Sequence, residues 1–430
     1  MLNILLPLAV IGFLFFKNLK LKQNWISPSS LLLALYFLSI LLVYPYIVIF
    51  NQERVLQAQY MEASVMFCFL FLLFLYPFIS FRENLIEKIV LPNRNTLKLF
   101  SIGVCIFSIY SVLFFIPTTI FALTHPDIAL ARQLMVLQGE VVVSQTIFNT
   151  IAGTAAAFYQ IPIILFFIYQ ILGHNKILKT FLFISSTSYI FFVFSAFGRD
   201  GVVFWFLSFL GIMGFFYSFL AKEMIRKTSV VLVAGAIVGG IGFIAITLSR
   251  FADAPFNAII SYMAQGVPNF FIAYEANVPT TNGSAFPLFR SLIGLPEEVD
   301  TSSTRFYLER ADTFIWVFGT FLRSFIINLG VWGTILLGLV MFFIFKIIIR
   351  NRRYITFSAL LVYFLYFQIL YQGVFYFRQY NRVGNLIIIV SFVFAFLFMV
   401  LSKMDRNKIT IYKRADSSKI THSSTGKRSL

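Results

Sequence analysis

Charge is what this chain has least of. Only 12% of its 430 residues are Asp, Glu, Lys or Arg, whereas 59% are apolar. Ordinary globular chains carry about twice that charge, so the composition excludes a soluble domain. There are two cysteines, Cys68 and Cys105, both inside apolar runs, and no disulfide framework is implied. Histidine occurs three times. No His/Cys ligand cluster, no Asp-x-Asp of the metal-dependent nucleotide-sugar transferases and no Walker loop is found. Any anion must therefore be stabilised by arginine, with neither metal nor cofactor in evidence. No internal repeat is visible, which weakens an inverted-repeat transporter. Asp, Glu and Lys are nearly absent from the middles of the apolar runs, where an ion-coupled transporter or channel would need some.

What is present is apolar length. Runs at 1–16, 30–50, 63–81, 99–120, 147–172, 180–197, 202–220, 229–248, 325–347, 355–372 and 384–402 read as about eleven transmembrane helices, most near the roughly 20 residues a crossing needs. In the first run the lysines (Lys17, Lys20, Lys22) follow the apolar stretch, the reverse of a secretory signal. It reads as a retained anchor with the N-terminus outside and the C-terminus cytoplasmic. The expected class is an all-α polytopic membrane protein. Residues 1–248 form an eight-helix part, 249–324 a large helical outer loop, 325–402 a three-helix part, and 403–430 a basic, disordered cytoplasmic tail. The outer loop of 249–324 is expected to lie on the membrane as a small cap of helices, with a flexible segment at 279–287. A second outer loop, 121–146, carries an amphipathic stretch around Ile128–Leu137.

The net charge of +17 is unevenly placed. With this topology the inner side holds 24 basic and 5 acidic residues, and the outer side 10 basic and 12 acidic. That is the positive-inside bias of a membrane protein and not a nucleic-acid footprint. The bias pools lysine and arginine, yet the two separate. All fifteen lysines fall inside, and ten of the nineteen arginines fall outside: Arg54, Arg132, Arg199, Arg250, Arg290, Arg305, Arg310, Arg323, Arg378 and Arg382. Arginine differs from lysine in its planar fork of donors, which matches phosphate or carboxylate bidentately. The outer face reads as built to hold an anion.

Three constellations stand out. Phe197-Gly198-Arg199-Asp200-Gly201 sits between two apolar runs at the outer boundary, with glycines for a tight reversal. It reads either as a ligand site or as a hairpin tip closed by an internal Arg199–Asp200 pair. Arg250 ends a span, with Asp253 three residues on; a snorkelling arginine is the alternative there. The loop after the tenth run carries Arg378 and Arg382, no acid, and the tyrosines Tyr371, Tyr376 and Tyr380. Unpaired arginines at this depth suit a phosphate. The tyrosines suit a sugar, or an interfacial aromatic belt. Arg290 follows the flexible segment and is placed to close over a site. Arg305 and Arg310 have acidic neighbours at helical spacing, so local pairing explains them better. Asp200, Asp253, Glu275 and Asp312 are the candidate bases; His125 reads as structural.

In this setting Asn328-Leu329-Gly330-Val331-Trp332-Gly333 resembles the Asn/Asp-x-Gly-x-x-Gly helix start of the oligosaccharide repeat unit polymerases, the O-antigen and capsule polymerases. Ser195-Ala196-Phe197-Gly198-Arg199 resembles that family's small-residue run leading to an arginine. The similarity of span number and late outer loop covers most of the chain. The resemblance implies a GT-C-like membrane fold and a bacterial inner-membrane glycosyltransferase acting on undecaprenyl-pyrophosphate-linked oligosaccharide, with a flippase and a chain-length regulator as partners. A lipid-linked glycan ligase, or an exporter of the same lipid, is the alternative. On this reading Arg250, Arg378, Arg382, Arg199 and Arg290 bind pyrophosphate. Asp253 and Asp200 serve as base or orient an arginine, and Tyr376 and Tyr380 meet sugar.

Overall fold

The computed structural model describes residues 2–22, 24–125, 146–173, 175–250, 254–311, 313, 318–349, 353–404 and 407–414, with the backbone alone for 238, 245, 249 and 250. Every apolar run of the sequence is helical. The first part holds α1 (Leu2–Lys22), α2 (Pro28–Leu41), α3 (Val43–Phe50), α4 (Met61–Ser80), α5 (Arg94–Thr124), α6 (Ile147–Ala157), α7 (Gln160–Leu172), α8 (Lys176–Ser186), α9 (Ser188–Ser195), α10 (Asp200–Phe216) and α11 (Lys222–Arg250). Then come α12 (Pro255–Ala264), α13 (Gly266–Glu275), α14 (Pro287–Leu292), α15 (Ser302–Arg310), α16 (Phe321–Ile348), α17 (Phe357–Gln372) and α18 (Arg382–Met404). Among the described residues nine helices are long and apolar enough to cross a membrane, and α6 with α7, bent by 48°, makes a tenth. The chain is a helical multi-pass membrane protein.

The tenth run, α17, is shorter at 16 residues, and all of them except Ser358 are buried. A helix apolar all round belongs inside a bundle, and here protein rather than lipid surrounds it. Phe364, Phe367 and Tyr371 pack on Phe215, Phe78 and Phe204 of neighbouring helices. Thr356 caps its start, accepting from Ala359 N at 3.3 Å.

That helix also joins the two ends of the molecule. Its first residue follows a strand (Tyr354–Thr356) in a three-stranded sheet with Lys88–Leu91 at the centre and Ile409–Tyr412 antiparallel on the other side. All three strands come from segments read as inner, so the structure gathers them at one end. The expected disorder of 403–430 is corrected for this stretch. Ile409 and Ile411 alternate with polar neighbours, and Ile411 is buried on the sheet; residues 415–430 lie outside the described part. Beside the sheet, Lys22 and Glu83 form a buried ion pair at 2.5 Å.

The loop of 249–324 departs from the surface cap expected of it. Val267, Phe270 and Phe271 of α13 are fully buried, and Phe270 meets Phe67 of α4 edge-on at 5.2 Å. Ser39 of α2 donates to Met263 O at 2.7 Å. The apolar face of this loop was too large to leave on a surface, so α12 and α13 enter the bundle. The boundary expected at 325 moves as well: Thr320 caps α16, which begins at Phe321 and carries Arg323 inside the helix. Residues 126–145, with the amphipathic stretch expected around Ile128–Leu137 and with Arg132, lie outside the described residues.

Gly330 breaks α16. Gly330 has φ 69° and ψ 177°, a conformation only glycine adopts without strain. The break releases the carbonyls of Ile327 and Asn328, which accept from Thr281 N and Gly283 N, each at 2.9 Å. Asn328 Oδ1 accepts from Ala285 N at 2.7 Å and from Thr281 Oγ1 at 2.8 Å. The 279–287 segment, expected to be flexible, is pinned along the broken helix.

Candidate functional site

At the end of α17 opposite the sheet, the bundle opens into a cavity of about 870 Å³. Among the described residues its charged lining is Arg199, Arg323, Arg378 and Asp200. It is walled by the α9–α10 corner, the later part of α11, α12, the pinned segment, the start of α16 and the loop after α17.

The corner is built by its glycines. A Cβ at Gly198 would lie 2.6 Å from Val193 Cγ1, and one at Gly201 2.7 Å from Val193 Cβ. The turn therefore seats on α9 only without side chains there. Between them the backbone aims Arg199 and Asp200 apart. Arg199, 8% exposed, donates from Nη1 to Thr247 Oγ1 at 2.7 Å and lies 4.5 Å from the Tyr262 ring and 5.4 Å from Phe243. Asp200 is the first residue of α10, where the helix N-terminus favours a carboxylate, and accepts from the Tyr376 hydroxyl at 2.9 Å. The closed Arg199–Asp200 hairpin tip is not what forms.

Arg378 donates from Nε to the Tyr189 hydroxyl at 3.0 Å and lies 5.7 Å from the Tyr376 ring. Its Nη atoms make no hydrogen bond among the described residues. Burial opposes its charge, whereas the hydrogen bond to Tyr189 and the nearby Asp200 carboxylate favour it and hold its pKa up. Burial, reinforced by Asp200, likewise pushes the Tyr376 hydroxyl well above its ordinary range, so it remains a donor.

Arg323 is the member that sequence reasoning missed as a site residue. It is 2% exposed and sits in the first turn of α16, where the helix dipole disfavours a cation. Thr320 before an apolar run is an N-cap signature and was the signal available. Tyr189, Tyr262 and Phe318 were also missed. Each is one aromatic among many in an aromatic-rich chain, and only contact singles it out.

The other expected residues are dispersed. Arg290 is outside the cavity lining: Nε donates to Pro296 O at 2.8 Å and Nη1 to Asn282 O, so its fork ties two turns together. Arg382, with 69% side-chain exposure, is drawn 3.4 Å from Glu297. Neither Arg290 nor Arg382 lines the cavity with Arg199 and Arg378. Tyr380 does line the cavity, 48% exposed. Arg250 ends α11, but its side chain and all of Asp253 and Asp312 lie outside the described residues. Glu275 stands near Glu62 and not in the cavity; burial, then the Glu62 charge, raises its pKa. His125 packs edge-on against Phe121 at 5.4 Å.

Among the described residues the cavity thus offers several guanidinium donors, one carboxylate oriented by a hydroxyl, and apolar walls. Compared with known protein families, characterised proteins and solved structures, the chain matches none.

Proposed function

We propose that this protein is a glycosyltransferase that polymerises oligosaccharide repeat units carried on undecaprenyl pyrophosphate, at the outer face of the bacterial cytoplasmic membrane. The observation that carries the reading is the convergence of Arg199, Arg323 and Arg378 with the carboxylate of Asp200 on one cavity, at the end of the bundle opposite the sheet. Forked, buried cations near a lipid boundary suit a pyrophosphate anchored in that lipid. The apolar part of the lining, including Phe192, Val203, Phe204 and Phe243, suits the chain that carries it.

In the reaction the bond between the anomeric carbon of the growing glycan and a pyrophosphate oxygen breaks. The arginines take the charge that develops on the departing pyrophosphate. A hydroxyl of the next lipid-linked unit attacks the anomeric carbon, and its proton passes to Asp200, the general base. Tyr376 orients that carboxylate through its 2.9 Å hydrogen bond. A flippase that delivers the units and a chain-length regulator are the partners this activity requires.

Deletion of the gene followed by gel analysis of surface glycan tests the reading. Single-repeat capped product is the expected result. Lipid-linked polymer left unattached identifies a ligase, and lipid-linked units retained inside identify an exporter. Normal long-chain glycan overturns the assignment.

A further inference from the structure

Two rings that line the cavity, Tyr262 and Phe318, have no part in the reaction above. Starting at Arg199, the Tyr262 ring lies 4.5 Å from the guanidinium. Phe318 meets Tyr262 at 4.6 Å with planes 84° apart. Tyr376 meets Phe318 at 5.6 Å and 66°, and Arg378 lies 5.7 Å from Tyr376. Three aromatic rings thus run in succession between two guanidinium groups. They come from three separate segments: α12, the turn before α16, and the loop after α17.

None of the three belongs to the hydrophobic core. Each is partly exposed and each lines the cavity, while the adjoining Phe321 and Phe377 are buried. Gly319, next to Phe318, leaves room for the Arg323 side chain, since a Cβ there would overlap Arg323 Cδ. Tyr376 is fixed by Asp200, and Tyr262 is fixed by the Arg199 contact. The rings meet one another edge to face, at 84° and 66°, and all three border the cavity.

We infer that Tyr262, Phe318 and Tyr376 form a subsite for a sugar ring, placed between guanidinium groups that take the phosphate joined to it. The inference rests on the proposed function and names the glycosyl part of its substrate. A pyranose presents a face of C–H bonds carrying slight positive charge, and the face of an aromatic ring is negative. A wall of such rings meets the sugar face while its hydroxyl edge stays available to polar groups. Thr281, Ser284 and Asn328 supply those in the same cavity. An interfacial aromatic belt would instead spread its rings around the outside of the bundle. A purely anionic lipid would gain little from rings set between the arginines.

The test compares two probes on the purified protein in nanodiscs: a polyprenyl pyrophosphate, and the same lipid bearing one hexose on its pyrophosphate. The wild-type protein should bind the hexose-bearing lipid tighter by roughly three- to tenfold, the scale of one or two ring contacts. Phe318→Leu, which touches neither arginine, should bring the two affinities within about twofold of each other. Tyr262→Phe, which keeps the ring, should retain the preference, and Tyr262→Leu should lose it. An unfolding temperature close to that of the wild type shows in each variant that the protein is folded, and the preference is read as the ratio of the two affinities. Equal binding of both lipids by the wild type overturns the subsite alone, as does a preference that survives both leucine substitutions. Binding of neither lipid overturns the functional reading and the subsite with it.

Discussion

The Tyr189 hydroxyl accepts a 3.0 Å hydrogen bond from Arg378 Nε, tying a buried side chain of α9 to the loop between α17 and α18. Tyr189 stacks on Tyr159 at 4.6 Å and 16°. The Tyr159 hydroxyl meets that of Tyr371, which is also 2.6 Å from Ser208 Oγ. A buried column of tyrosines thus stands behind the guanidinium and holds its fork in one direction.

Arg378→Lys should abolish polymer length while leaving membrane insertion unchanged. A lysine reaches the same place as a point charge without the planar fork. Tyr189→Phe removes only the acceptor at Nε and keeps the stack. A hydrogen bond to a charged group contributes about 1.5–3 kcal/mol, so KM for the lipid-linked donor should rise about tenfold or more, with a smaller change in kcat. Steady-state kinetics with lipid-linked repeat units decide the matter. An unchanged KM in Tyr189→Phe would show that Arg378 needs no orienting partner.

Asp200→Asn should lower kcat by at least about a hundredfold, the usual contribution of a positioned base, with KM little changed. Tyr376→Phe should cost less, because it leaves the carboxylate and removes only its donor. The pH profile separates the two. Tyr376 has a raised pKa, so its contact to Asp200 is fully present below the ordinary tyrosine value of about 10 and is lost only as pH rises through the higher folded value. Between pH 7 and about 10 the wild type and Tyr376→Phe should therefore run in parallel, offset by a constant factor. A rate that falls through that range in the wild type and not in the variant would show Tyr376 titrating there.

Much of the fold was legible because the bilayer fixes the length and apolarity of what crosses it. Each apolar run became helical over most of its length, and three of the arginines read as outer, Arg199, Arg323 and Arg378, line the cavity. Arg199, Asp200, Arg378, Tyr376 and Tyr380 were legible for the same reason: they sit where apolar runs stop. Arg290 and Arg382 stop there too, and a carbonyl pair and Glu297 claim them. Sequence spacing carries no record of such a partner across a loop. Arg323 was hidden by four residues of boundary error at a helix start, where boundaries are least certain. Phe318 and Tyr262 carry no periodic signal at all, because their role is set by the meeting of three separate segments.

The clamp at Asn328 should be the most sensitive polar site in the cavity wall. Its Oδ1 accepts from Thr281, Ser284 and Ala285, and its Nδ2 donates to Ser324 O at 2.7 Å. Asn328→Ala strands several donors, each at about 1–3 kcal/mol when buried. Asn328→Asp keeps the accepting oxygen for its three donors but sets a carboxylate oxygen against the Ser324 carbonyl. Alanine should thus lower the unfolding temperature more than aspartate and open the 279–286 segment to protease. Equal protease resistance in wild type and Asn328→Ala would show that the segment is held by something else.

The Lys22–Glu83 pair gives a stability test remote from the cavity. Lys22 Nζ lies 2.5 Å from Glu83 Oε2, with side-chain exposures of 4% and 6%. The pair is completed by Tyr363, which donates to Glu83 Oε1 at 2.6 Å, and by Ser29, which accepts from Lys22 at 2.5 Å. It thereby joins α1, α2 and α17 to the turn after α4. Removing one partner of a buried pair leaves an uncompensated charge and costs about 3–5 kcal/mol. Lys22→Met and Glu83→Gln should each lower the unfolding temperature in a common detergent. The two losses should not be equal. Without Lys22 the carboxylate still accepts from Tyr363, whereas without the Glu83 charge the ammonium keeps only neutral acceptors, so Glu83→Gln should cost more. The double variant buries no charge and should recover most of the loss, a coupling of the kind contacting residues show in a double-mutant cycle. Strictly additive losses would mean that the two charges do not depend on each other. Because the pair lies at the sheet end and the arginines at the other, affinity for a lipid pyrophosphate in nanodiscs should change by less than about twofold in all three variants.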